Sequence, residues 1–562
     1  MQVELARPIK NKASSPERAL AELAHAHDLL TRGEDGILRV PFLVRGKLRV
    51  PEAITREAID HRFRELDAEA GPSDGLPGYA RVGGAQVLRE VVTRPKIAGT
   101  PRFVYTVMPV FEPDEVIERD VAALAEELYD LPVTEIVAYA DGLAKAYRES
   151  LAFINTVRDA TRLTAELPDE EHDLAFATVP MLLDGASLKA SVDHELCAWG
   201  HSGSELLDGW RAIDAAVMPA PVHATLARAL AAPFVPREAE IRAMPTRQLH
   251  ITAGNAPHIP FFSAMRAIAT KSAAVVKSPS GATIPGALLA LLALASNPDH
   301  PITKHLSFVY WPGGDESVEG ALFMPGAFDR VVVWGAPGAV SSVRSRAVGT
   351  KVVTLDPRYG VSMIGRELFA EADLGAVASR VVADALVANQ KACIASQVVY
   401  VEGGHDADVA RFAEALRAAL HAFDEASPNV IADQARGDVL RLLKGRLLDA
   451  DWYTNESGGG AFSSAVVVCR DEFSMASHPM CRFLVVRPVA DLDELVKTGR
   501  VLHHGVSTVS VWPEPRRKAL RTAIAAQGVS NVPPLGQSGT GFSGQPHDGM
   551  RVLSELVDWK NA

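Results

Sequence analysis

The sequence predicts an α/β protein: a parallel sheet of the Rossmann type, a second α/β unit that carries a cysteine, and an extra N-terminal layer. Two observations lead there. Between residues 246 and 355, short apolar runs alternate with longer runs of helical character, and a second alternation follows Cys393. Strand–helix alternation of this kind implies parallel strands with helices on both faces of the sheet.

Bulk properties fit a protein of more than one core. At 562 residues the chain exceeds what one hydrophobic core organises, so two or three domains are expected. A net charge of −12 disfavours a nucleic-acid partner, which would call for basic patches. The four cysteines, Cys197, Cys393, Cys469 and Cys481, are too scattered for a disulfide framework and show no zinc spacing. A reducing, cytoplasmic setting is expected. Residues 4–18 are charged and lack the apolar core of a signal peptide. The longest apolar run, 284–295, is shorter than the about 20 residues that span a bilayer, so no transmembrane anchor is expected and the run reads as a buried helix.

Taken in order, residues 1–110 read as a separate layer. The runs 37–44 and 47–50 flank Arg45-Gly46, a hairpin arrangement. The Gly/Pro-rich stretch 72–84 reads as a surface loop, and 103–110 as a strand. From 113 to about 232 apolar residues recur at helical spacing. Within that region 192–197 holds one histidine beside two acids, which reads as a solvated helix face. Strands are then expected at 248–253, 273–277, 306–311 and 330–334, with helices at 260–270 and 285–296 between them. Ligands of such sheets bind beyond the carboxyl ends of the strands. Asn255, Lys277 and Gly335 each fall at such an end and should converge.

Residues 389–397 join a helical run (374–388) to a strand (398–401) and hold Cys393. At a junction facing a cleft, backbone N–H groups and a following helix would favour the thiolate, the form that attacks carbonyl carbon. A small buried hydrophobe is the alternative reading. Asn255, after Gly254, is placed to donate to a developing oxyanion, or is a plain turn residue. Lys277, with Ser278 and Ser280, suits a ribose or phosphate, or is a strand-end lysine with its head in water. The turn holding Gly335 and Gly338 lets backbone approach a pyrophosphate. The 539–544 glycine loop reads as a flexible surface segment.

Five stretches in consistent order and spacing then carry a resemblance. They are 250–257 (His-Ile-Thr-Ala-Gly-Asn-Ala-Pro), 297–303, 309–312, Gln390-Lys391-Ala392-Cys393 with Ser396-Gln397, and 547–551 (His-Asp-Gly-Met-Arg). From about residue 245 onward the chain resembles the acyl-CoA reductases typified by the fatty-acid reductase of bacterial luminescence, within the aldehyde dehydrogenase superfamily. The resemblance implies an aldehyde-dehydrogenase-like fold. It divides the chain into an accessory region (1–110), a nucleotide-cofactor domain (111–355), a catalytic domain (356–515) and a C-terminal segment (516–562) packing back on the cofactor domain.

It also implies NADPH-dependent reduction of a fatty acyl-CoA to aldehyde and free CoA through an acyl-enzyme at Cys393, with Asn255 holding the oxyanion. NADH remains an open cofactor choice. Short acyl-CoA, acyl phosphate, or acyl transfer and thioester hydrolysis without nicotinamide remain open reactions. A dimer or tetramer, and an acyl-donating or aldehyde-accepting partner enzyme, are expected on the same ground. Hydrolytic members of the superfamily carry a glutamate base that the matching region here, 354–358, lacks, which favours reduction over hydrolysis. The superfamily's second glutamate falls on His478, either a proton source or a solvated loop residue.

Overall fold

The computed structural model describes residues 16–33, 36–70, 78–92, 103–214, 221–230, 238–371, 373–429, 433–447, 449–456, 462–471, 473–498, 502 and 505–562. Its centre is a seven-stranded sheet in the order Lys351–Leu355, Arg330–Trp334, Arg247–Ile251, Ala273–Lys277, Leu306–Val309, Phe42–Val44 and Lys47–Arg49. The first five strands run parallel, as the alternation predicts. All five residues of Ala273–Lys277 are buried, as expected of a strand covered on both faces. The helix Thr283–Ser296 packs there with Thr283 through Leu294 all buried, which explains a run apolar on every side.

The hairpin forms where expected, with Arg45 at φ 47° and Gly46 at φ 71° in the turn. Both residues of this tight connection are left-handed, the geometry that matches strand twist. The hairpin does not remain in a separate layer, however. Phe42–Val44 pairs antiparallel with Leu306–Val309 and so extends the central sheet. Residues 37–39 belong instead to a four-stranded sheet with Phe103–Pro109, Ala85–Val91 and Gly78–Val82. Of the loop expected at 72–84, residues 72–77 lie outside the described residues, whereas 78–82 form a strand.

A second sheet of six strands follows the order Ala450–Glu456, Phe462–Cys469, Phe483–Val489, Ser396–Glu402, Tyr359–Ile364 and Val506–Trp512. Only its first pair is antiparallel. The chain end returns to the first unit. Asp558–Asn561 pairs with Ala239–Met244, and Leu556 places its carbonyl oxygen 2.6 Å from Thr246 Oγ1. Among the described residues, no helix is long and apolar enough to cross a membrane.

Candidate active site

The carboxyl ends of the parallel strands open into a cavity of about 1720 Å³. Asn255, Lys277, Gly335 and Cys393 all line it, which is the convergence expected of them. Cys393 is half-buried in a turn that begins after the helix Leu374–Ala385 and ends at the strand Ser396–Glu402.

The local backbone explains how the thiol reaches the cavity. Ala388, Asn389 and Gln390 lie consecutively at φ 51°, 50° and 66°. Such a run of non-glycine left-handed residues persists only where surrounding contacts hold it. A second left-handed run, Met480-Cys481-Arg482, meets it. The buried Arg482 guanidinium donates to Asn389 Oδ1 (3.3 Å) and to the Ser427 carbonyl (2.6 Å), and pairs with Asp424. Gln390 closes the frame by exchanging two hydrogen bonds with the Phe483 backbone, at 2.7 and 2.9 Å. On the other side of the turn, Ser507 Oγ donates to the Cys393 carbonyl at 2.6 Å. Gly360 makes room: a Cβ there would overlap the Ile394 carbonyl oxygen and lie 2.8 Å from its carbon.

No helix follows Cys393, so the expected helix terminus does not activate it; the next element is a strand. Burial, together with the nearby Asp548 carboxylate, pushes the thiol up to about 11. Asn255 Nδ2 donates to the Lys391 carbonyl at 3.4 Å, and Asn255 Oδ1 is buried without a hydrogen-bond partner among the described residues. That long bond leaves the amide free to turn to a stronger acceptor nearby.

Lys277 is buried, with its ammonium 5.3 Å from the Tyr310 ring centre and 5.5 Å from that of Trp311. Burial lowers it to about 8. Ser278 and Ser280, expected to act beside it, do not line the cavity. Ser278 is packed against Gly286, and Ser280 is exposed on the following turn. Gly335 borders the cavity, while Gly338 is exposed in the first turn of the helix Pro337–Arg346. Among the described residues no side chain caps that helix, which leaves its first N–H groups to an anion.

His478 corrects both of its expected roles. It is buried, receives the Met480 N–H at 3.0 Å, packs edge-on to Phe473 and Phe483, and does not line the cavity. Burial lowers it to about 4. Glu195, taken for part of a solvated face, is buried against the Leu553 N–H (2.8 Å) and lines the cavity. The 538–544 segment is also a cavity wall, anchored by Asp384, whose oxygens accept from Gly536 and Ser538 N–H at 2.7 Å each.

Several cavity residues had no sequence signal of their own. Glu171, on the helix Asp169–Ala177, accepts from the Asn389 N–H at 2.7 Å, and burial raises it to about 7. Arg266 is buried over the Phe262 and Trp334 rings, at 4.3 and 5.0 Å, and donates to His547 Nδ1 at 3.1 Å. Asp548 stands beside His547 and 3.7 Å from Arg358. For His547 and Asp548 the one sequence signal was the 547–551 stretch, which carries the family resemblance without a role for either residue.

The family model for acyl-CoA reductase (LuxC) matches residues 230–559, more than half of the chain. The chain belongs to the acyl-CoA reductase family. It is 26% identical over 332 residues to the long-chain acyl-protein thioester reductase of Vibrio harveyi, covering 57% of this chain and 65% of that protein. It is 27% identical over 335 residues to the protein of the same description from Photorhabdus laumondii, with the same coverage. The chain thus spans just under two thirds of the length of these relatives. The fold is that of the aldehyde dehydrogenases. Aldehyde dehydrogenase 21 from Physcomitrella patens superposes with a TM-score of 0.62 at 13% identity, covering 84% of this chain and 97% of that one. Methylmalonate-semialdehyde dehydrogenase from Oceanimonas doudoroffii gives 0.63 at 11% identity, covering 93% and 97%.

Proposed function

We propose that the protein reduces a fatty acyl thioester, with acyl-CoA as the donor, to the fatty aldehyde, using NADPH and a covalent acyl-enzyme at Cys393. The observation that carries this reading is the opening of Cys393, Asn255 and Lys277 into one cavity at the carboxyl ends of the parallel strands. The Vibrio harveyi and Photorhabdus laumondii relatives are long-chain acyl-protein thioester reductases, so an acyl thioester held on protein is the alternative donor for the same cavity.

The residues fit a dinucleotide. Lys277 holds a buried cation whose bond to the Ser278 carbonyl is long, at 3.4 Å, leaving donors for ribose hydroxyls or a phosphate. The Gly335 turn and the uncapped N-terminus of Pro337–Arg346 offer N–H groups to a pyrophosphate. When bound, a reduced nicotinamide supplies the hydride that takes a thioester to the aldehyde level.

The chain's own residues do the rest. Cys393 Sγ attacks the thioester carbonyl, and the carbonyl oxygen gathers charge within reach of Asn255 Nδ2. Collapse of that adduct expels the carrier thiol and leaves the acyl group on sulfur. The apolar wall of Leu167, Leu174, Met181, Leu182, Val387 and Phe423 receives the alkyl chain. Release of aldehyde breaks the bond to Cys393 Sγ and restores the residue.

The test is acyl-CoA-dependent oxidation of NADPH followed at 340 nm over a series of chain lengths, with NADH, acyl phosphate and acyl-protein in parallel. Aldehyde must appear with NADPH loss, and Cys393→Ala, folded by circular dichroism, must abolish both. Thioester cleavage without any nicotinamide oxidation would replace this reading with acyl transfer or hydrolysis.

A further inference from the structure

The reaction assigned to Cys393 leaves its proton without a destination. The thiol is neutral at physiological pH, and a thiol attacks carbonyl carbon poorly until that proton is removed. The region in which hydrolytic relatives carry their glutamate base offers Asp356, but that side chain is 39% exposed and turned toward Arg344 and Thr354, at 3.6 and 3.3 Å. Glu195 is engaged by the Leu553 N–H and Glu171 gives one oxygen to the Asn389 N–H, but the carboxylate whose charge acts on the thiol is that of Asp548.

Asp548 is placed differently. Its carboxylate is 6% exposed and lines the same cavity as Cys393, and its charge raises the thiol. A tight turn presents it: Asp548 lies at φ 50° and Gly549 at φ 78°, and the His547 and Met550 backbones exchange two hydrogen bonds of 2.9 Å across them. Charged groups face it from two other elements. Arg358 lies 3.7 Å away on the loop before Tyr359–Ile364, Asp356 shares that loop, and Arg266 reaches in from the helix Ile259–Ala269. His547 Nε2 is 3.9 Å from its other oxygen. An arginine only donates, so His547 Nδ1 accepts from Arg266 and the ring proton sits on Nε2, facing Asp548. Burial raises the Asp548 carboxyl above its ordinary range, and Arg358 opposes that rise. The result is a more basic carboxylate in the same cavity as a thiol that needs a base.

We propose that Asp548 is the base for Cys393: it accepts the thiol proton, directly or through one water, as Sγ bonds to the thioester carbon. When the bond from that carbon to the carrier sulfur breaks, the departing thiolate takes the same proton back from Asp548. One proton moves twice and no electrons change hands. The proposal rests on Cys393 being the acyl nucleophile.

Asp548→Asn keeps the shape and a residue type that tolerates the left-handed region, so it removes the base with the turn intact. Two rates are read on the full chain. One is acylation by palmitoyl-CoA without cofactor, followed as released CoA thiol. The other is alkylation of Cys393 by iodoacetamide, followed by mass spectrometry. The expected result is crossed. In Asp548→Asn, acylation at pH 7 falls at least about 100-fold, yet alkylation becomes faster, because a negative charge that suppressed the thiolate is gone. The variant's acylation also climbs steadily from pH 7 to 9, where the wild type is level. Asp548→Glu, which keeps a carboxylate, recovers part of the rate, and Asp356→Asn acylates normally.

Wild-type acylation in Asp548→Asn, loss of both rates together, or loss in Asp356→Asn instead would overturn the assignment. A wild-type protein that is alkylated at Cys393 but never acylated would defeat the acyl-enzyme reading itself, and the proposal with it.

Discussion

Asn255 Nδ2 lies 3.4 Å from the carbonyl oxygen of Lys391, two residues before Cys393 in the chain. A turn at the end of a first-sheet strand thereby touches the loop that carries the thiol in the second unit. The contact joins a donor to a nucleophile separated by more than a hundred residues of sequence.

Replacing Asn255 by Ala removes the side-chain donor from the developing oxyanion. We expect kcat for acyl-CoA reduction to fall by about 100- to 1000-fold, with KM nearly unchanged, because the interaction strengthens only as charge develops. Steady-state kinetics over acyl-CoA concentration decide this. A change confined to KM would assign Asn255 to ground-state binding.

Gly360→Ala places a methyl group against the Ile394 carbonyl, which is backbone and cannot swing aside. The nucleophile turn must shift. Misplacing an attacking atom by about 1 Å costs on the order of 100-fold in rate, so turnover should fall sharply. Thermal melting and activity of the purified variant are the measurements.

Arg482→Gln leaves Asp424 buried without its cation and frees the left-handed Asn389. Breaking a buried pair from one side costs about 3–5 kcal/mol, read as a lower urea midpoint. Activity per folded molecule should fall as well, since the frame holds the turn that presents Cys393.

Lys277 titrates at about 8 in the cavity because burial disfavours its charged form. Below that pH it is a cation able to hold a phosphate; above it the amine is neutral. NADPH affinity, measured by fluorescence titration, should therefore weaken as pH rises through 8, and Lys277→Met should be weak at every pH. A pH-independent affinity in the wild type would remove Lys277 from the cofactor site.

Much of this architecture was legible in the sequence because it is local. The runs at 247–251, 273–277, 306–309 and 330–334 carry strand periodicity between helical segments, and the right-handed parallel crossover leaves little choice of how they pair. Asn255, Lys277, Gly335 and Cys393 were recognisable because each sits at an element's end, where residues meet ligands. Tertiary structure alone decided the rest. Ser278 and Ser280 follow Lys277 directly, yet the turn sends both away from the cavity. Glu171, Arg266 and Asp548 share one cavity with Cys393, each from a segment more than a hundred residues away from it in the chain, and no periodicity encodes a convergence of that kind. The titration of the thiol was also beyond reach of the sequence. It depends on how much water and which charges surround the sulfur, and only the packed chain fixes those.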